Sequence, residues 1–342
     1  MIGEDTGSST ERKEIRACID LGSSFFRLLV LEGIFPPEGR YERGGLKIVR
    51  AREERCYVGW GEDLSISASV SPASVERARG ALSRLVAAAR SFGCPGPLLV
   101  GTNTLREARN AGDVVSRLER EFSLPISILS QRDEARLGYL GSAVFCASDE
   151  RLVVLDVGGR STQISCGRGI VMEAYRGLPL GTHRVRHICG RRAYSPAGLR
   201  RGLATLAGAI DALTRSSEDS LLPLDAEHST ILFTGGTAVS CVVCLRFMRN
   251  RRPLYEELYP LAIDDVVLLR RRLTALAMFG RERRMPLEAN RMRLLPAGLV
   301  LVEALLRHVR VTSVRVTARD LRWGVAIGGK EWLLHEQTRS HR

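Results

Sequence analysis

The sequence predicts an α/β protein built from two related halves that face each other across a cleft. Three observations predict it. The pattern of strands, then helices, then strands runs through the chain twice. A strand–Asp–x–Gly–turn–strand plan occurs at residues 18–30 (CIDLGSSFFRLLV) and returns at residues 153–165 (VVLDVGGRSTQIS). A third glycine turn, at residues 234–237 (TGGT), follows a strand and opens a helix. In the two Asp turns, glycine lets a ligand come close to the backbone. Hydroxyls stand beside freed amides, and a carboxylate ends the preceding strand. Such a turn is a concave set of donors suited to phosphate oxygens, with a carboxylate at hand for a metal. The candidate residues are Asp20, Gly22, Ser23 and Ser24 in the first turn, and Asp156, Gly158, Gly159, Ser161 and Thr162 in the second. Gly235 and Gly236 add backbone donors at a helix N-terminus, a ready anion site. Two turns of this kind can grip opposite ends of one phosphate chain.

Composition narrows the classes. The 342 residues are 44% hydrophobic, which suits one very large domain or, more simply, two ordinary ones. Lys+Arg number 51 against 38 Asp+Glu, a net charge of +13. That favours an anionic partner, although a bias toward Arg codons explains the excess equally well. No helix-turn-helix, zinc-finger or RNA-binding signature accompanies the charge, so no nucleic-acid partner is expected. No run of apolar residues is long enough to span a bilayer, and the polar N-terminus (MIGEDTGSSTERKE) lacks the apolar core of a signal peptide. A disordered leader is expected over 1–13, and a cytoplasmic protein. The 8 cysteines form no disulfide framework. Cys241 and Cys244 lie in an apolar helical run and read as buried structural thiols.

Taken in order, residues 15–32 read as a hairpin around the first turn, and residues 46–58 as a charged further strand. Residues 59–69 read as a loop. Ser71 and Pro72 open a helix as N-cap and first helical residue. Its apolar face is Val75, Ala78, Leu82, Leu85, Val86 and Ala89, and Gly93 ends it. Residues 97–102 form a short strand, 103–110 and 113–122 helices, and 126–129 a strand. A helix over 130–145 follows, with Ser130 and Asp133 fitting a capping box. Glu134 in its first turn stands where α/β folds place ligand sites, or is a solvated acid favoured by the helix dipole. After the second Asp turn come a strand at 171–175, a loop at 175–185, a helix at 196–213, a strand at 229–233, and a helix after the third glycine turn. Helices are also expected at 264–279, from Pro296 onward, and over 320–334, with a strand at 314–317.

These turns and their spacing resemble the Ppx/GppA phosphatases, a family of exopolyphosphatases and guanosine pentaphosphate phosphohydrolases within the actin-like ATPase superfamily. The likeness runs from about residue 15 to residue 330. Its further landmarks are GTNTLREARNA (101–111), ILSQRDEARLGYLG (128–141), GLPLGTHRV (177–185), FTGGTAVS (233–240), LLPAGLVLVEALL (294–306) and VTARDLRWGV (316–325). The TLREA and EARLGYLG segments speak against a sugar kinase or an actin-like ATPase. The resemblance implies two actin-like (ribonuclease H-like) domains, at 14–130 and 131–335, with the substrate cleft between them and the last helix packing back on the first domain. It implies release of terminal phosphate from inorganic polyphosphate or guanosine pentaphosphate, a role in the stringent response, Mg²⁺ or another divalent cation, and a homodimer. The alternative is a catalytically weak member that binds polyphosphate or guanosine nucleotides as a regulator. Longer relatives carry a C-terminal domain beyond the actin-like core, which this chain is expected to lack.

By the same resemblance, the catalytic glutamate falls on Glu134 and the phosphate-contacting arginine on Arg106. Asp156 takes the metal-side carboxylate, and Arg160 joins the second phosphate loop. Three positions depart from the family pattern: Ser24 stands for Asn, Arg160 for the third Gly, and Gln163 for a Glu. Gln163 offers a metal an amide oxygen without charge, which weakens the site. Arg160 would stand in for part of the metal's charge if its guanidinium faced the phosphates.

Overall fold

The computed structural model describes residues 13–36, 45–64, 66–189, 195–215, 229–251, 258–278 and 284–329. The expected leader, apart from Lys13, and the end of the expected last helix lie outside these residues. The first sheet begins as an antiparallel meander of β1 (Glu14–Leu21), β2 (Phe25–Ile34) and β3 (Lys47–Tyr57). The helices α1 (Trp60–Asp63) and α2 (Pro72–Ser91) lead to β4 (Leu98–Gly101); α3 (Asn103–Glu107) and α4 (Ala111–Phe122) lead to β5 (Ile126–Ile128). The sheet order is β3-β2-β1-β4-β5, with β4 parallel to β1 and β5 parallel to β4.

The second unit opens with α5 (Gln131–Ala143) and repeats the meander as β6 (Arg151–Val157), β7 (Thr162–Arg168) and β8 (Val171–Leu178). There follow α6 (Thr182–Cys189), α7 (Pro196–Arg215), β9 (Thr230–Thr234), α8 (Gly235–Met248), β10 (Tyr259–Ala262), α9 (Ile263–Met278), α10 (Ala289–His308) and β11 (Ser313–Val316). The order β10-β11-β9-β6-β7-β8 reproduces the first sheet, with β10 added antiparallel at the outer edge. Two sheets of the same order, each with its helices, are the two related α/β units the sequence predicts.

Local chemistry explains most boundaries. Ser71 accepts the amide of Ser74 and caps α2, with proline at the first helical position. Ser130 caps α5 by accepting the amide of Asp133. β3 is an edge strand, and the charges along its exposed face discourage pairing with another chain. Cys241 and Cys244 are fully buried in α8, and burial pushes both thiols up, Cys244 to about 12.

Several elements differ from the sequence reading. The loop expected at 59–69 contains α1, held by Trp60, whose buried indole donates to the carbonyl of Gly22 at 2.9 Å. The loop expected at 175–185 is the end of β8 and the start of α6. Strand β10 has no counterpart in the sequence reading, because Pro260 and its short length hide it. Pro296 does not open α10 but lies inside it. Proline within a helix costs about 3 kcal/mol. Burial of each large aliphatic side chain returns about 1.5–3 kcal/mol, and Leu294, Leu295, Leu299, Val300 and Leu301 are all buried in α10. The residues 321–329 are helical but not amphipathic: Leu321, Trp323, Val325, Ala326 and Ile327 are all buried, and so is Arg322.

Those residues join the two units. They share a core with Cys18, Leu29, Leu31 and Val100 of the first sheet and Leu137 of α5. The close fit depends on glycine: a Cβ on Gly324 would lie 2.0 Å from the carbonyl oxygen of Leu137, and one on Gly141 would lie 2.2 Å from that of Asp320.

Candidate active site

The two Asp turns meet across a cavity between the units. Asp20, Gly22, Ser23, Ser24, Glu134, Asp156, Gly158, Gly159, Arg160, Ser161, Gln163, Gly235 and Gly236 all line it, so sequence-predicted residues from four segments come together there. Thr162 is fully buried behind the turn, where its hydroxyl donates to the carbonyl of Leu180 at 2.6 Å. Arg106 reaches the site through Glu134.

Backbone pairing explains why these turns can receive an anion. In the first turn the carbonyls face away from the cavity. Trp60 takes that of Gly22, Gly61 that of Ser23, and Val58 and Gly59 that of Ser24. In the second turn Thr182 and His183 at the start of α6 donate to the carbonyls of Gly158 and Gly159 at 3.1 and 2.8 Å. The amides of Ser23, Ser24, Gly159, Arg160 and Ser161 donate to no acceptor among the described residues. Gly235 has φ +87, and a Cβ there would lie 2.5 Å from Oδ1 of Asp156, so only glycine fits beside that carboxylate.

Acidic groups crowd the floor. Arg106 donates to Oε2 of Glu134 at 2.6 Å and to the carbonyl of Leu129 at 2.7 Å. Burial pushes the Glu134 carboxyl above its ordinary range despite Arg106. Arg27 bonds Asp20 at 2.5 Å and Asp320 at 2.8 Å, and these carboxylates hold its charge against the cost of burial. Asp320 is also bonded by Arg322 and is held below its ordinary range by the two guanidinium groups, against burial. The Asp156 carboxylate accepts no side-chain hydrogen bond among the described residues, although its backbone pairs with β7 and β9. Burial, and then the neighbouring Asp320, push its carboxyl up to about 7.

The donor set bears on a divalent cation. Among the described residues no three His, Cys, Asp or Glu side chains form a ready cage. Oδ1 of Asp20 is nevertheless buried without a partner. Gln163 donates its Nε2 to Ser161 Oγ at 2.9 Å, which leaves its carbonyl end as an acceptor. Mg²⁺ commonly uses one or two carboxylates and completes its shell with water and substrate phosphates. Asp156, a carboxylate without a bonded cation, with Gln163 as its cross-strand partner on the same cavity, fits that habit.

Arg160 lines the cavity, and its guanidinium points across the cleft to Asn103, Glu107 and the carbonyl of Gly61, at 3.0, 2.7 and 3.0 Å. Four other residues escaped the sequence reading. Arg27 was legible as a lone charge in the apolar strand FFRLLV, and Asp320 as a lone acid near the apolar end. His183, whose Nε2 lies 2.7 Å from Ser24 Oγ, had no such signal. Neither did Arg291, which lines the cavity, stacks 4.6 Å over the Phe25 ring and has a buried Nε without a partner. Burial, together with Arg27 and Arg55, lowers its pKa to about 9.

A paired-turn cleft between two α/β units of the same strand order defines the fold class. The sequence profile of the Ppx/GppA phosphatase family matches residues 41–331, and the chain belongs to that family. It is 24% identical over 332 residues to the guanosine-5'-triphosphate,3'-diphosphate pyrophosphatase of Vibrio cholerae, covering 95% of this chain and 61% of that protein. The chain thus spans 61% of the length of the curated relatives it matches. Among solved structures, the Aquifex aeolicus PPX-GPPA enzyme superposes with a TM-score of 0.71 at 19% identity, covering 93% of this chain and 100% of that one. An exopolyphosphatase from Cytophaga hutchinsonii gives 0.71 at 17% identity, with 91% and 96% covered. Among the described residues, no helix is long and apolar enough to cross a membrane.

Proposed function

We propose that the chain is a phosphohydrolase that releases the terminal phosphate of inorganic polyphosphate or guanosine pentaphosphate. The observation that carries this reading is the set of unpaired amides on two facing turns, with Glu134 between them on the cavity wall. Those amides, with Gly235 and Gly236, bind the terminal phosphoryl oxygens and neutralise charge that grows as the bond to the leaving phosphate breaks. Glu134 orients the attacking water and takes its proton. The raised proton affinity that burial gives its carboxyl makes it a better base than an exposed glutamate. Arg106 fixes that carboxylate. A divalent cation held by Asp156 and Gln163 would supply further positive charge at the phosphate oxygens. Arg27 and Arg291, cationic groups on the cavity wall, attract the rest of the anionic chain. The proteins this chain is similar to include a guanosine-5'-triphosphate,3'-diphosphate pyrophosphatase and an exopolyphosphatase, which supports this substrate class.

The test is Glu134→Gln, which keeps the shape and removes the base. Phosphate release from tripolyphosphate and from guanosine pentaphosphate should fall by about two to four orders of magnitude, with substrate affinity little changed. Release at the wild-type rate would remove Glu134 from the mechanism. A wild type that binds both compounds and hydrolyses neither would favour the regulatory reading.

A further inference from the structure

Two of the positions at which this chain departs from its family pattern, Ser24 and Arg160, bond to the opposite unit. Ser24, in the first turn, lies 2.7 Å from Nε2 of His183 in α6. Arg160, in the second turn, uses Nε, Nη1 and Nη2 on Asn103, Gly61 and Glu107 of the first unit. Its own backbone is fixed from the other side: a Cβ on Gly181 would lie 2.4 Å from the nitrogen and carbonyl carbon of Arg160. Between the two links the turns nearly touch. A Cβ on Gly159 would lie 3.2 Å from Ser23 Cβ and 3.3 Å from Ser24 Oγ.

We propose that Arg160 is a positioning residue, a clasp across the cleft that sets the spacing of the two phosphate-binding turns, with Ser24–His183 as its second point. The proposal rests on the phosphate reading of the cavity. The ion pair with Glu107 is partly exposed, at 20% and 46%, so it contributes modestly to stability by itself. Its bonds to Asn103 and the Gly61 carbonyl give it direction, because a planar guanidinium satisfied on three sides has one orientation. A turn held in place offers its amides to phosphate without an ordering cost at binding, so the clasp raises affinity without its guanidinium touching the ligand.

A guanidinium that instead bound phosphate directly would behave oppositely toward Glu107. In that case Glu107 competes for it, and Glu107→Gln tightens binding. Under the clasp, Glu107→Gln and Arg160→Ala both weaken tripolyphosphate binding by about tenfold, the double variant is no weaker than the weaker single, and Arg160→Lys recovers part of the loss. KM for tripolyphosphate rises in step, and kcat changes by less. Without ligand, small-angle scattering shows a larger radius of gyration for Arg160→Ala than for wild type. Tighter binding by Glu107→Gln, additive losses, or an unchanged radius of gyration overturns the clasp. A wild type that does not bind tripolyphosphate would sink the phosphate reading, and the scattering comparison would still decide the clasp on its own.

Discussion

His183 shows how a single residue couples burial to pH. Its ring is buried against Ser24, and desolvation lowers its pKa from 6.5 to about 4. Above pH 6.5 the ring is neutral in the folded and unfolded chains alike, and it adds no pH dependence. Between pH 6.5 and about 4 the unfolded chain takes up a proton that the folded one refuses, so stability falls as the pH falls. Conversion of that shift gives a loss on the order of 3 kcal/mol across the window. His183→Gln keeps a hydrogen-bonding group and removes the titration. The gap in melting temperature between wild type and variant should be constant above pH 6.5 and shift against the wild type toward pH 4. Parallel curves down to pH 4 would show that the ring protonates freely in the folded chain. None of this was visible in GLPLGTHRV, because a histidine's pKa depends on what folds over it. The pairing of Arg106 with Glu134 was legible only as two separate family positions; their 2.6 Å contact is a product of the fold.

At the scale of elements, the contact between α5 and the helical residues 321–329 is the most demanding. Gly141 and Gly324 let two backbones approach so closely that a methyl group on either would overlap a carbonyl. Gly324→Ala should therefore destabilise by about 1–3 kcal/mol or more, through forced separation of packed helices. Gly112→Ala is the control, since a Cβ there meets nothing within 4 Å. Equal melting temperatures for the two variants would mean that the helices separate without strain. The sequence made the strands and caps legible because their signals are local: Ser71-Pro72 and Ser130 each state a helix start. It failed where distant packing decides. Pro296 reads as a helix start by local rules, and the burial of α10 carries the helix through it. The helix after Asp320 reads as amphipathic until the first sheet covers its other side.

At the scale of the whole molecule, the excess of 51 basic over 38 acidic residues faces a polyanionic substrate class under the reading proposed here. Affinity for long-chain polyphosphate should fall steeply as salt rises, and affinity for orthophosphate much less, because long-range attraction is screened beyond about 8–10 Å at physiological ionic strength. Equal salt dependence for both ligands would confine recognition to the turns. The doubled fold itself was plain in the sequence, since both Asp turns and their flanking strands repeat. What the repeat did not reveal is how the halves are joined. The chain passes between them twice, after β5 into α5 and after β11 into residues 321–329, and the two crossing segments pack on each other through Gly141 and Gly324. Glu134 sits one turn from the first crossing, tied by Arg106 to Leu129 and the first unit. The Arg160 side chain reaches the first unit at α1 and α3 instead. In mechanical terms, the crossings are a fulcrum and the glycine turns ride on the levers. A small rotation about them would part the turns while Glu134, beside the first crossing, moved less, so under the reading proposed here ligand could exchange without disturbing the carboxylate that activates water.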